Sequence, residues 1–170
     1  MKIRLAIPAD LPFIVETERE CLTAAHWSEE QYRRLFDTSW FDPQPTGPQR
    51  LVLLAEDDRG SDRGVSNPTL LGFLVAHHVA SEWELENIAV APTARRTGVG
   101  KRLLDELIMR ARQVNSQSVF LEVRESNLAA RKLYERLEFQ ETGRRKSYYS
   151  NPLEDAIGYC RTLGPGKSAP

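Results

Sequence analysis

The chain has 170 residues, with 23 lysines and arginines against 24 aspartates and glutamates and a formal net charge of −1 at pH 7. That length suits one domain able to bury a core without disulfides or metals, and the balanced charge offers no global field for nucleic acid or an anionic membrane. The two cysteines, Cys21 and Cys160, have no metal-ligand spacing, and no apolar stretch is long enough for a signal peptide or a membrane span, so a metal-free cytoplasmic protein is the expectation.

In chain order, Lys2 to Ile7 reads as a short strand, and Pro8-Ala9-Asp10 opens a helix to about Ala25 with Leu11, Ile14, Val15, Glu18 and Leu22 at helical spacing. Ser28-Glu29-Glu30-Gln31 has the form of a capping box and predicts a second short helix. Prolines at 43, 45 and 48 forbid regular structure between Thr38 and Gln49, and the polar stretch from Asp57 to Pro68 reads as a second loop. Leu51 to Glu56, Leu70 to Val79 and Trp83 to Val90 are rich in branched apolar residues and predict neighbouring antiparallel strands. The stretch after Gly98 sets Leu103, Leu104, Leu107, Ile108 and Ala111 on one stripe of a helix that lies against a sheet. Val119 to Val123 is a fifth strand, Ser126 caps a helix to about Leu137, and Phe139 to Tyr149 and Asp155 to Leu163 close the sheet. Cys160 falls in an apolar alternation and reads as an inert buried thiol. The expected fold is α/β (α+β): a mixed seven-stranded sheet with about four helices on its two faces, one domain over 1–163 and a frayed tail over 164–170.

Between the strand ending Ile88-Ala89-Val90 and the helix beginning Lys101-Arg102 lies Arg95-Arg96-Thr97-Gly98-Val99-Gly100. A strand that turns through glycine into a helix leaves backbone N–H groups aimed at the helix mouth, where an anion can sit. A Walker loop needs a glycine where Arg95 stands and a hydroxyl where Arg102 stands. A dinucleotide fingerprint needs a third glycine where Leu103 stands. What remains is Arg-x-x-Gly-x-Gly, or a plain turn before an amphipathic helix.

That pattern resembles the acetyl-CoA pyrophosphate loop of the GNAT acetyltransferases. A second stretch carries the same resemblance: Leu121-Glu122-Val123-Arg124-Glu125-Ser126-Asn127, then Ala130, Leu133-Tyr134 and Phe139. With Asn87-Ile88-Ala89-Val90, Tyr148-Tyr149, Glu154-Asp155-Ala156 and the early His26-Trp27-Ser28, the chain is similar to the bacterial subgroup that acetylates the N-terminal alanine of a ribosomal protein. The resemblance implies acetyl-CoA as co-substrate and a protein or peptide N-terminus as acceptor. It assigns Ile88, Ala89 and Val90 to the pantetheine arm and Arg95, Arg96, Thr97, Gly98, Val99, Gly100 and Lys101 to the pyrophosphate. Asn127 becomes a cofactor hydrogen-bonding group, Glu122 the general base, Tyr134 the acid that protonates the departing thiolate, and Tyr148 and Tyr149, in the loop between the last two strands, the grip on the peptide.

Each assignment has a plainer counterpart. Glu122 is also a solvent-facing strand residue, with Glu86 and Glu84 as rival bases; Tyr134 lies on an inward helical stripe; Asn127 can serve only its helix start. Tyr148 and Tyr149 can be a strand-end cluster or a dimer edge, and Arg144, Arg145 and Lys146, which could attract acidic residues downstream in a peptide, read first as a solvated charge run. The three histidines and three tryptophans read as ordinary structural residues. A glutamate, Glu138, stands where relatives have a helix-stopping glycine, so either the turn differs or a left-handed glutamate is tolerated. No nucleic acid or membrane partner is expected, and the chain reads as a monomer or weak homodimer. Acetylation of a small amine such as a polyamine or aminoglycoside, and a non-catalytic CoA-binding module, are the alternatives.

Overall fold

The computed structural model of the chain describes residues 1–21, 23–25, 27–36, 49–57 and 69–164. Its strands are β1 (Lys2–Leu5), β2 (Gln49–Asp57), β3 (Thr69–Val79), β4 (Glu82–Val90), β5 (Ser118–Arg124), β6 (Gln140–Ser150) and β7 (Leu153–Thr162). They form one sheet in the order β1-β2-β3-β4-β5-β7-β6, antiparallel except for the parallel β4–β5 pair. The helices are α1 (Leu11–Arg19), α2 (Glu29–Arg33), α3 (Val99–Gln113) and α4 (Leu128–Arg136). A mixed seven-stranded sheet with four helices is therefore present among the described residues, as the sequence predicts. The proline-rich loop, residues 58–68, His26, Trp40 and most of the tail lie outside them.

Two apolar layers flank the sheet. On one face, Leu103, Leu104, Leu107, Ile108 and Ala111 of α3 pack with Tyr134 and Leu137 against Leu53, Leu74, Trp83, Leu121 and Ile157. The outer side of α3 carries the ion pairs Lys101–Asp105 and Arg110–Glu106, one turn apart. On the other face, Ile14 of α1 and Tyr32 of α2 pack with Leu35, Leu54, Phe73, Val75 and Ala89. The capping box forms as predicted: Ser28 Oγ accepts from the Gln31 N–H at 3.3 Å, and Gln31 Oε1 from the Ser28 N–H at 2.8 Å.

Three local expectations need correction. α1 stops at Arg19 rather than near Ala25. Beyond it the bonds run from Cys21 N to Glu18 O and from Ala24 N to Cys21 O, short turns that bury Cys21 and Ala24 under the sheet; tertiary packing overrides the helical pattern. The α4 cap is Asn127, whose Oδ1 accepts from the Ala130 N–H at 3.2 Å; Ser126 sits one residue too early. Tyr148 and Tyr149 belong to strand β6, as the strand read over 139–149 predicts and not, as the resemblance implies, to the loop after it, because Tyr149 still pairs with Glu154 across the final hairpin.

Two irregularities around β4 shape the site. In the β3–β4 ladder Val75 pairs with Asn87 but Ala76 pairs with Leu85, so Glu86 is an inserted residue, a β-bulge. Leu85 therefore faces α3 while Asn87, two residues on, faces α1, where its Nδ2 donates to Glu18 Oε1 at 2.6 Å. The parallel β4–β5 ladder runs only from Glu82↔Ser118 to Leu85↔Leu121. Past those residues the strands part, leaving a cleft between Glu86–Val90 and Glu122–Arg124.

Candidate active site

The cleft holds about 510 Å³ counting the open solvent at its mouth. Leu85, Glu86, Asn87 and Ile88 of β4 form one wall, Glu122, Val123 and Arg124 of β5 the other. Asn127, Ala130 and Tyr134 close it from α4, Tyr149 from β6, and Thr23 to Ala25 from the segment after α1. Five of the residues assigned to the site by resemblance, Ile88, Glu122, Asn127, Tyr134 and Tyr149, thus meet on one surface.

Both candidate carboxylates reach this surface, in different states. Glu86 is held by Arg50, with Nε–Oε2 2.8 Å and Nη2–Oε1 2.9 Å, and its Oε1 lies 3.3 Å from His77 Nδ1. Burial pushes the Glu86 carboxyl up, but the nearby His77 ring and the Arg50 guanidinium outweigh it and hold the carboxyl at about 2. A carboxylate so firmly ionised is a poor proton acceptor for catalysis. Glu84 is half exposed and lies 3.6 Å from His77 Nε2. Glu122 has 15% of its side chain exposed and one guanidinium beside it: Arg145 Nη1 is 2.9 and 3.2 Å from its two oxygens. Arg144 and Arg145 are solvent-exposed, as a solvated run predicts, yet each is paired: Arg145 with Glu122, and Arg144 with Glu125 and Asp155.

Tyr134 is buried among aromatic rings, 5.9 Å from Phe139 and 6.0 Å from Tyr159 between centroids. Burial, and to a smaller extent Tyr149, raises its phenol above the ordinary 10, so it keeps its proton. Asn127 lines the cleft while its Oδ1 is committed to the helix start. Tyr149 lies under the Arg124 guanidinium, 4.1 Å from carbon to ring centroid, and burial carries its phenol up to about 12. Arg124 is itself buried and donates to the carbonyls of Asn151 and Pro152, so it ties the β6–β7 turn to the cleft wall. Tyr148, 46% exposed, stands edge-on to Tyr149 at 5.1 Å and carries Arg145 over its ring.

The glycine loop lies at the far end of β4. Gly98 caps α3 at φ 91°, a left-handed conformation, with nothing within 4 Å of the place a Cβ would take; its backbone, not crowding, requires glycine. At Gly100 the reason is space, because a Cβ would meet Leu133 Cδ2 at 3.3 Å and Val90 Cγ2 at 3.8 Å. Val90 thus touches the loop, and the wall of the cleft runs through Ala89 and Val90 to the mouth of α3. Thr97 Oγ1 donates to Ala94 O at 2.7 Å and fixes the turn. Two side chains nearby have partners: Arg95 donates to Val90 O, Glu20 O and Cys21 Sγ, each at 3.3 Å, and Lys101 pairs with Asp105 at 2.6 Å. The backbone N–H groups of the first turn of α3 face the helix mouth, as at any helix start. Among the described residues no His, Cys, Asp and Glu cluster could hold a metal.

Sequence reasoning missed Arg50 and His77 as partners of Glu86, the pairing of Arg145 with Glu122, the burial of Arg124 and the Thr23–Ala25 wall. Strand alternation put Arg124 beside Glu122 and could have flagged it; the others depend on cross-strand neighbours.

The profile of the Acetyltransferase (GNAT) family matches residues 11–139, and the chain belongs to that family. It is 43% identical over 88 residues to the [ribosomal protein bS18]-alanine N-acetyltransferase of Haemophilus influenzae, a match covering 52% of this chain and 60% of that one. The enzyme of the same name from Salmonella typhimurium is 35% identical over 138 residues, 78% of this chain and 86% of its own. Among solved structures, the ribosomal-protein-S18-alanine N-acetyltransferase of Escherichia coli superposes with a TM-score of 0.72 at 28% identity, covering 99% of this chain and 96% of that one.

Proposed function

We propose that the chain moves acetyl from acetyl-CoA directly to an amine, and that the amine is the N-terminal α-amine of a protein, as the names of its ribosomal-protein-acetylating relatives suggest. The observation that carries this reading is the meeting of Glu122 and Tyr134 in the cleft opened by the end of the β4–β5 ladder. A carboxylate able to accept a proton and a phenol that keeps one are the two groups that amide formation from a thioester requires.

In this reading the edge of β4 at Ile88, Ala89 and Val90 receives the pantetheine arm as an added strand, and the Arg95–Lys101 segment receives the pyrophosphate on its N–H groups. Asn127 hydrogen-bonds the same ligand. Tyr148 and Tyr149 hold the incoming peptide backbone beside the thioester, which supplies proximity. Glu122 takes the proton from the amine, directly or through water, as the nitrogen bonds to the carbonyl carbon. A backbone N–H near Val90 supports the oxyanion. As the C–S bond breaks, Tyr134 gives its proton to the thiolate.

The α-amine suits a modest base. With an ordinary pKa of about 7.7–8.0, roughly a tenth is neutral at pH 7, against about one in 2,500 for a lysine at about 10.4. The test is CoA release from acetyl-CoA with peptides bearing free or blocked N-termini and with a polyamine. Turnover should require the free α-amine. Undiminished turnover on blocked peptides, or far faster turnover on the polyamine, would give the acceptor role to another amine.

A further inference from the structure

Glu122, the proposed base, already has a cation on it. Arg145 Nη1 reaches both of its oxygens, at 2.9 and 3.2 Å, and the Arg145 guanidinium rests 4.2 Å above the ring of Tyr148. The partners are unequally placed: 62% of the Arg145 side chain is exposed against 15% of that of Glu122, so the arginine comes from the solvent side and the carboxylate from the cleft wall. Arg145 is also the last β6 residue in register with β7 before the irregularity that ends at Tyr149, and Ser147 within it has φ 51°. Arg144 turns away to Glu125 and Asp155. Arg145 is thus the charge placed at the mouth above the base.

An α-amine arrives at pH 7 mostly as an ammonium, with the same charge and the same N–H donors as Nη1. Resting on the Glu122 assignment above, we propose that Arg145 is a placeholder for the acceptor: it occupies the Glu122 carboxylate until the acceptor's ammonium exchanges with it, and so sets acceptor affinity and favours cationic amines. The exchange needs no backbone movement, because a largely exposed guanidinium can leave the carboxylate for water while remaining over Tyr148. It keeps the charge beside Glu122 balanced at each stage. The acetylated product is a neutral amide and cannot hold the carboxylate, so once Glu122 has passed the amine's proton to water Arg145 returns as product leaves. Arg145 acts through Glu122 and Tyr148 and is a positioning residue, not a catalytic one.

Steady-state kinetics at saturating acetyl-CoA, with a free N-terminal peptide as acceptor, would test this in Arg145→Gln and Arg145→Lys. An exposed ion pair is a weak competitor, so Arg145→Gln should lower the acceptor KM by about two- to five-fold with a smaller change in kcat. The gap from wild type should narrow at about 0.5 M salt, and Arg145→Lys should bring KM back toward wild type. Inhibition by the same peptide with a dimethylated N-terminus, an N–H-bearing cation that cannot form a stable amide, should tighten in Arg145→Gln by a similar factor. An unchanged or raised KM with no tightening of that inhibitor overturns the placeholder role, as does a loss confined to kcat. Failure of the wild-type enzyme to turn over any free N-terminal peptide overturns the acceptor assignment and this inference together, whereas turnover with an indifferent Arg145→Gln overturns this inference alone.

Discussion

Two glutamates reach the cleft, and their partners give them different work. Glu86 is bound by a two-pronged arginine and a histidine; Glu122 meets one exposed arginine. Glu122→Gln should therefore lower kcat by about 10²–10⁴-fold with the fold intact, and Tyr134→Phe should lose activity in the same range, both read from CoA release. Because the Tyr134 phenol is raised above its ordinary 10, kcat should show no alkaline limb from this residue below that value. Glu86→Gln should instead act on stability, by about 1–3 kcal/mol in urea unfolding at neutral pH, because it leaves part-buried donors with a weaker acceptor. The pH dependence follows from the two shifts. The Glu86 carboxyl is lowered from 4.5 to about 2, so its contribution is complete above pH 4.5 and fades as pH falls toward about 2. His77, raised from 6.5 chiefly by the adjacent Glu86 carboxylate, contributes fully below 6.5 and less as pH rises through its raised value. The stability gap between wild type and Glu86→Gln should thus be widest between pH 4.5 and 6.5. Glu122 and Tyr134 were legible in the sequence because local motifs surround them. The locking of Glu86 was not, because it depends on a bulge, and a bulge is a mismatch between two strands that neither strand's own alternation records.

At the level of elements, legibility followed how local the determining contacts are. The Ser28–Gln31 box and the α3 stripe involve residues within one or two turns of each other, and both formed as read. The end of α1 is decided by packing of Cys21 and Ala24 beneath β4, which lies far away in sequence, and the helical pattern overshot it. The end of α4 combines both kinds of information. Glu138 does adopt the left-handed conformation, at φ 62°, and its strain is offset by Arg161, which donates to Leu137 O at 2.6 Å and to Glu138 Oε2 at 2.7 Å. Glycine would remove the backbone strain, keep the Arg161 bond to the Leu137 carbonyl and lose the largely exposed pair. Glu138→Gly should therefore raise stability by about 0.5–1 kcal/mol, after allowing for the greater freedom of glycine in the unfolded chain. A Tm at or below wild type would mean that the Arg161 pair outweighs the strain. Activity should stay close to wild type, since Phe139 N still donates to Tyr134 O at 3.1 Å and keeps the end of α4 in place.

Across the whole molecule, the sheet is continuous on either side of the cleft and interrupted within it. β1 to β4 form one antiparallel block and β5, β7 and β6 another, joined by four paired positions, Glu82–Leu85 with Ser118–Leu121, and by the helices packed across them. A ligand laid along β4 from Ile88 to the mouth of α3 would bridge both blocks and tie them together, so its binding free energy should appear as global stability. With acetyl-CoA at about a hundred times its Kd, linkage predicts about 2.7 kcal/mol. For a chain of this size that is a rise in Tm of roughly 5–10 °C. The same experiment can locate that stabilisation. Acetyl-pantetheine shares the thioester and the arm but lacks the pyrophosphate, so if the backbone N–H groups following Gly98 form the anion site, it should give at most a small shift at equal concentration. Equal shifts from the two ligands would move the binding energy to the cleft and leave the glycine loop as a structural turn; a shift from CoA matching that from acetyl-CoA would show that the loop and arm, rather than the acetyl group, hold the two blocks together.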